Sequence, residues 1–193
     1  MRIFLAGASG VIGQRLIPLL IDRGHIVGGM TRSADKVNLL QGLGAEPILC
    51  DVYDAPDVIS AVASFMPDLI LHQLTDLPDD PRHIREQASR NARIRQEGTR
   101  NLLAAREAAF NPRIVAQSVA WAMPVGPSAD AINELEASVL AADGTVLRYG
   151  QFYGPGTYYK HELPTDPRVH IDAAAIQTIA ALEGPSRIVT IVD

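Results

Sequence analysis

The chain is short of several residue types at once. It has one cysteine, Cys50, and two lysines, Lys36 and Lys160, and aromatic residues make up only 5% of its 193 positions. A lone cysteine excludes an internal disulfide framework and a cysteine-based zinc site, and a cytoplasmic, reducing setting is expected. Seventeen Lys and Arg stand against 22 Asp and Glu, a net charge of −5. That balance lacks the basic face of a nucleic-acid binder, and it offers no polybasic attachment to a membrane. No apolar run approaches the roughly 18 residues that a membrane-spanning helix needs. The opening MRIFLAGASG lacks the charged region, long apolar region and cleavage site of a signal peptide. The histidines and carboxylates show no metal-ligand spacing, and no metal is expected.

What is present is a core-forming composition. Hydrophobic residues are 47% of the chain and charged residues 20%, and the length suits one domain over residues 1–193. Short β-rich apolar runs alternate with helical patterns. Strands are expected at 2–6, 25–30, 46–50, 68–72, 113–118, 144–149 and 187–191. Helices are expected at 11–23, 33–40, 55–65, 83–110, 131–142 and 172–183, the first carrying Pro18 at some cost. Repeated strand–helix–strand units mean an α/β protein with a doubly wound, mainly parallel sheet. Ligands on such sheets bind at the carboxyl ends of the strands.

Gly7, Gly10 and Gly13 lie between the first strand and the first helix. There Gly7 permits a tight turn, Gly10 lets a pyrophosphate approach the backbone, and Gly13 lets the helix pack close to the sheet. The N–H groups opening the helix face the phosphates. Gly7, Ser9, Gly10, Val11, Ile12 and Gly13 are therefore candidate cofactor residues, and a dinucleotide is the expected ligand.

Five segments in order resemble the short-chain dehydrogenase/reductase superfamily, in its extended or atypical branch of NAD-dependent epimerases and dehydratases: FLAGASGVIGQRL, DLILHQ, EGTRNLLAA, RYGQFYGPGT, and VHID before an Ala-rich helix. The resemblance implies a Rossmann-like fold. It also implies contacts to the cofactor from Asp51 and Val52 at the adenine, from Gln73, Leu74 and Thr75 after the fourth strand, and from Gln151 after the sixth.

The second strand ends in Met30-Thr31-Arg32-Ser33, with no acid before Asp35. A carboxylate there would bind the ribose hydroxyls of NAD; an arginine with flanking hydroxyls suits the 2′-phosphate of NADP instead. Arg32, Thr31 and Ser33 are the candidate ligands, and NADP is expected ahead of NAD.

The family's catalytic signature is missing. It pairs a Tyr with a Lys four residues later, plus a hydroxyl from the end of the fifth strand. Neither lysine has a tyrosine four residues before it. Aligned on Glu136, the Tyr position is Ser128 and the Lys position Ile132. The hydroxyl falls at Ser118 or at the next residue, Val119. Ser118, Tyr149 and Tyr153 are the candidate catalytic groups left, although no lysine is near to lower either phenol. Asp76, Asp79 and Asp80 read as a solvated acidic loop.

Extended family members carry a substrate lobe, of which only a vestige at about 150–170 is expected here. An open cleft and an uncovered apolar edge favour a homodimer. The expected function is an atypical NADP(H)-binding oxidoreductase acting on a small molecule. The alternatives are a non-catalytic NADP(H) sensor or partner-binding module, and a sugar-nucleotide epimerase or dehydratase.

Overall fold

A computed structural model describes all 193 residues. Seven strands form one parallel sheet: β1 (Arg2–Ala6), β2 (Ile26–Thr31), β3 (Glu46–Leu49), β4 (Leu69–His72), β5 (Arg113–Val119), β6 (Thr145–Tyr149) and β9 (Ile188–Ile191), ordered β3-β2-β1-β4-β5-β6-β9. The chain winds outward from β1 through β2 to β3, then crosses to β4 and winds the other way. That is the doubly wound, Rossmann-like α/β arrangement expected from the sequence.

The parallel strands are buried on both faces, which is why they read as continuous apolar runs. Ile3, Phe4, Leu5 and Ala6 of β1 are all fully buried. Ile3 and Leu5 join a core with α1 (Gly13–Ile21), α2 (Val37–Gly42) and α7 (Ile171–Ala181). Phe4 and Ala6 join a second core, on the opposite face, with α3 (Ala55–Phe65), α5 (Thr99–Ala108) and α6 (Pro127–Ala141). Pro18 lies inside α1, where burial of Leu16, Ile17 and Leu20 offsets its cost.

Two expectations need correction. The helix expected over 83–110 is instead α4 (Ala88–Arg93), a π-helical turn at Ile94–Gly98, and then α5. The π turn brings Arg95 inward and sets Gly98 against Val52, where an added Cβ would meet Val52 Cγ2 at 3.4 Å. The helix expected from 131 begins four residues earlier, with Pro127 in its first turn. Proline suits that position because the first N–H groups of a helix have no intrahelical acceptor.

Residues 150–170, where a vestige of a substrate lobe is expected, hold a parallel two-strand ribbon of β7 (Gln151–Tyr153) and β8 (Arg168–His170). Gly150 is needed at its entry, since a Cβ there would sit 2.6 Å from the Arg168 carbonyl carbon. No helix is long and apolar enough to cross a membrane.

Candidate functional site

The sheet register brings the main segments together. Ala6 pairs with Met30 on one side and His72 on the other. The next residues, Gly7, Thr31 and Gln73, therefore emerge side by side at the point where the winding reverses. Gly7 has φ +89°, and a Cβ on it would lie 2.6 Å from the Gln73 carbonyl oxygen. At Gly13 a Cβ would lie 2.4 Å from the Gly7 carbonyl oxygen. Both glycines are thus required by the protein's own packing. Gly10 is different: it is exposed, and its nearest obstacle is the Gly7 oxygen at 3.3 Å. Its missing side chain leaves room for something outside the chain.

The start of α1 shows what would fill that room. The backbone N–H groups of Val11, Ile12 and Gly13 have no acceptor on the chain, and Ile12 caps the helix without a side-chain hydrogen bond. Three free donors at the positive end of a helix, over a turn cleared by Gly10, form an anion cradle. The residues present fit the pyrophosphate of a dinucleotide.

At the end of β2, Thr31 is buried. Its hydroxyl meets Ser9 Oγ at 3.3 Å and accepts from the Ser33 N–H at 3.3 Å. Thr31 and Ser9 therefore brace the loop. Arg32, with 49% of its side chain exposed, reaches Asp76 at 3.5 Å. Asp76 is not the solvated residue expected. It is buried, accepts from Arg90 at 2.9 Å, and its N–H donates to Asn91 Oδ1. The negative charge of Asp76 is met by two guanidiniums, which sequence spacing alone did not reveal.

Asp51 is exposed and closes a turn by accepting from the Tyr53 N–H, while Val52 is packed into the core beside Gly98. Leu74 and Thr75 are half-buried, and the Leu74 backbone nitrogen lies beside Gly7 of the phosphate loop. Gln73 is buried; its Nε2 donates to Tyr149 Oη at 3.3 Å and its Oε1 has no partner. The Gln151 amide donates to Thr165 and accepts from Tyr159, so its side chain ties the ribbon loop down.

His72 is fully buried. The Leu74 N–H donates to its Nδ1, which places the ring proton on Nε2, facing Thr99 Oγ1 at 3.0 Å. Burial pushes its pKa down to about 3. The ring is a neutral structural group.

The catalytic candidates fare differently from the cofactor loop. Tyr149 is 2% exposed, and its hydroxyl is taken up by Thr178 at 2.7 Å and by Gln73. Burial drives its pKa well above the ordinary phenol range, so it is no poised acid. Ser118 is fully buried and donates to Glu136 Oε1 at 2.5 Å. Arg148 donates from Nε to the same carboxylate at 2.9 Å, and from Nη2 to its other oxygen. Burial opposes the charge on Glu136, but the hydrogen bonds from Arg148 and Ser118 prevail and hold its carboxyl below the usual range. Buried Arg95 faces the same carboxylate, its own pKa pushed down to about 10 by burial. Ser118, a candidate catalytic hydroxyl from the sequence, is part of this internal ion cluster. Tyr153 packs edge-on against His170 at 5.2 Å, and the neighbouring Asp193 carboxylate raises its phenol. Ser118 and Tyr149 are thus taken up in internal hydrogen bonds, whereas Tyr153 is partly exposed on the ribbon.

Beyond the end of β5 lies a cavity of about 400 Å³. Val119, Trp121, Met123, Ala129 and Ile132 line it, with Glu136 and Arg148 among its few polar groups. A smaller cavity of about 270 Å³ between α5 and α6 includes neither the phosphate loop nor this strand end.

Residues 3–139 match the NAD dependent epimerase/dehydratase family. The chain belongs to that family. The cofactor class that goes with it is a nicotinamide dinucleotide. A relative from a Streptomyces species, 3-diazoavenalumate denitrifying reductase, is 35% identical over 227 aligned positions, covering 95% of this chain and 72% of its own length. The alignment is longer than the chain itself, so that relative carries internal segments absent here. The 3-beta-hydroxysteroid dehydrogenase of Mycolicibacterium neoaurum is 33% identical over 120 residues, 59% of this chain and 31% of its own. Among solved structures, the UDP-glucose 4-epimerase of Thermus thermophilus in complex with NAD superposes with a TM-score of 0.81. It is 20% identical, and the match covers all of this chain and 78% of that one. This likeness speaks to the fold.

Proposed function

We propose that the protein is an NADP(H)-dependent reductase whose substrate accepts hydride without a proton from the protein, and that a ring carbon bearing a diazonium group is the kind of centre it acts on. The observation that carries this reading is the contrast between the two ends of the site. The start of α1 offers three free N–H donors, whereas the positions of the family Tyr and Lys hold Ser128 and Ile132, and the family hydroxyl falls at Ser118 or Val119. Of the remaining candidates, Ser118 and Tyr149 are sealed in internal hydrogen bonds, and Tyr153 stands on the ribbon with no lysine near it to lower its phenol.

The free N–H groups of Val11, Ile12 and Gly13 would hold the pyrophosphate, and Arg32 the 2′-phosphate. A reduced nicotinamide supplies hydride when bound. Reduction of a carbonyl would then leave an alkoxide needing an acid, and general acid–base catalysis is worth about 10²–10⁴ in rate. The family's Tyr and Lys, which would provide it, are absent here. At an aryl diazonium carbon the balance differs. A C–H bond forms, the C–N bond breaks, its electron pair leaves on N2, and no proton is consumed. The similarity to a denitrifying reductase that acts on a diazo compound supports this choice.

The test is a comparison of substrates. With NADPH deuterated at C4, an aryl diazonium salt should yield N2 and an arene carrying one deuterium at the former C–N carbon, while ketones and aldehydes turn over poorly. Fast carbonyl reduction abolished by Tyr153→Phe would overturn the reading. Tight NADPH binding with no turnover on either class would instead favour a sensor or partner-binding role.

A further inference from the structure

We infer that the cavity beyond β5, where a family catalytic corner would stand, is the seat of the substrate, and that it takes a flat aromatic carboxylic acid. The inference rests on the reductase reading above for its place in the reaction, but its evidence is the cavity itself. Ile132 occupies the position of the missing lysine, Val119 is one of the two positions where the family hydroxyl falls, and both line the cavity. An apolar side chain in place of the lysine has not closed the space: about 400 Å³ remains, and seven of its ten lining residues are hydrophobic. That is within the size range of small-molecule sites, and its mix of apolar wall and few polar groups is characteristic of them.

The shape of the lining favours a ring. Trp121 and Met123 stand together on one side, with the indole N–H directed at the Met123 sulfur at 3.2 Å, which satisfies the indole's only donor. Its π-face is then left for stacking. Ala120, Ala122 and Ala129 are small and leave room beside it.

The polar end favours an anion. Arg148 gives Nε and Nη2 to Glu136, while its Nη1 has no acceptor on the chain. The Arg148 side chain is 41% exposed and borders the cavity. Arg95 lies behind the Glu136 carboxylate, outside this cavity, and helps hold that carboxylate in place. A carboxylate on the ring would take the unused Arg148 donor in a charge-assisted hydrogen bond.

The experiment uses the chain's only tryptophan, Trp121, as the reporter. NADP-loaded protein is titrated with 4-hydroxycinnamate and its emission followed. Two comparators are 4-hydroxycinnamyl alcohol, which lacks the carboxylate, and cyclohexanecarboxylate, which lacks the flat ring. A saturable change with the acid, at least tenfold weaker for either comparator, is the expected result. Ala129→Phe, which fills the cavity from a half-exposed position, should abolish it while leaving NADP affinity and melting temperature unchanged. Arg148→Lys should weaken the acid but not the alcohol. Equal affinity for acid and alcohol, an Ala129→Phe variant that still binds the acid, or no emission change at saturating acid would overturn the inference. None of these readouts requires turnover. A protein that binds the acid but reduces no diazonium salt therefore fails the reductase reading alone, and one that reduces it unimpeded after Ala129→Phe fails the pocket alone.

Discussion

Among the three loop glycines, the structure separates those the protein needs from the one left for a ligand. Gly13 has backbone oxygens of its own loop within 2.6 Å of any added Cβ, so Gly13→Leu should destabilise the fold. Gly10 has no such neighbour. Gly10→Leu should fold with an unchanged denaturation midpoint yet lose dinucleotide binding, measured by calorimetry, because its side chain would occupy the phosphate cradle. Equal cofactor affinity in that variant would remove the assigned site. The same scale decides cofactor choice. Arg32 is held against Asp76 with half its side chain exposed. A charge-assisted contact to a 2′-phosphate is worth about 1.5–3 kcal/mol, or roughly ten- to a hundredfold in affinity. Wild-type protein should prefer NADPH over NADH by that factor and Arg32→Ala should erase most of it, as read from paired titrations. If NADH binds the wild type as tightly as NADPH, Arg32 plays no part in selection.

Between elements, the polar groups under α5 and α6 act as a fixed layer. His72 at the end of β4 is joined to Thr99 at the start of α5, and Ser118 of β5 and Arg148 of β6 are joined to Glu136 of α6. His72 makes this layer sensitive to acid. Its folded pKa is about 3 and its unfolded value about 6.5. Above pH 6.5 neither state is protonated and the ring costs nothing. As pH falls towards 3 the unfolded chain takes a proton that the folded one refuses, and stability declines. At pH 5 the loss from this ring alone is about 2 kcal/mol. In His72→Asn, whose amide oxygen can still accept from the Leu74 N–H, the drop in urea-unfolding free energy between pH 7 and pH 5 should shrink by that amount. An identical drop in both proteins would show that the ring titrates normally.

Over the whole molecule, what the sequence displayed and what it concealed divide along a physical line. Strand positions, the phosphate loop and most helices were legible because each depends on near neighbours in the chain: apolar runs, a glycine spacing, a prolyl turn. The fates of Ser118, Tyr149 and Asp76 were not, because each is decided by a partner far away in sequence. Glu136, Thr178 and Arg90 capture them through packing that no local pattern encodes. The π turn at Ile94–Gly98 was hidden for the same reason, since its insertion matters only against Val52 across the layer. The cofactor expectation can be checked globally. NADPH at a hundred times its dissociation constant should stabilise the folded state by about 2.7 kcal/mol. For a chain of this size that raises the melting temperature by roughly 5–10 °C. A melting temperature indifferent to NADPH would mean that the cradle stays empty.

Arg15 gives the molecule a rivet. From one turn inside α1 its guanidinium reaches the Val11 carbonyl at 2.9 Å, the Pro155 carbonyl, and the Asp172 carboxylate at 2.6 Å. One side chain thereby clamps the phosphate loop, the turn after β7 and the first turn of α7. Whatever stiffens one of these must stiffen the others, because the energetic coupling between two sites is reciprocal. Occupying the cradle should slow amide hydrogen exchange at Gly156 and Thr157, although neither belongs to the cradle, and cutting the rivet with Arg15→Ala should let that distant loop exchange at the same rate with or without a nucleotide.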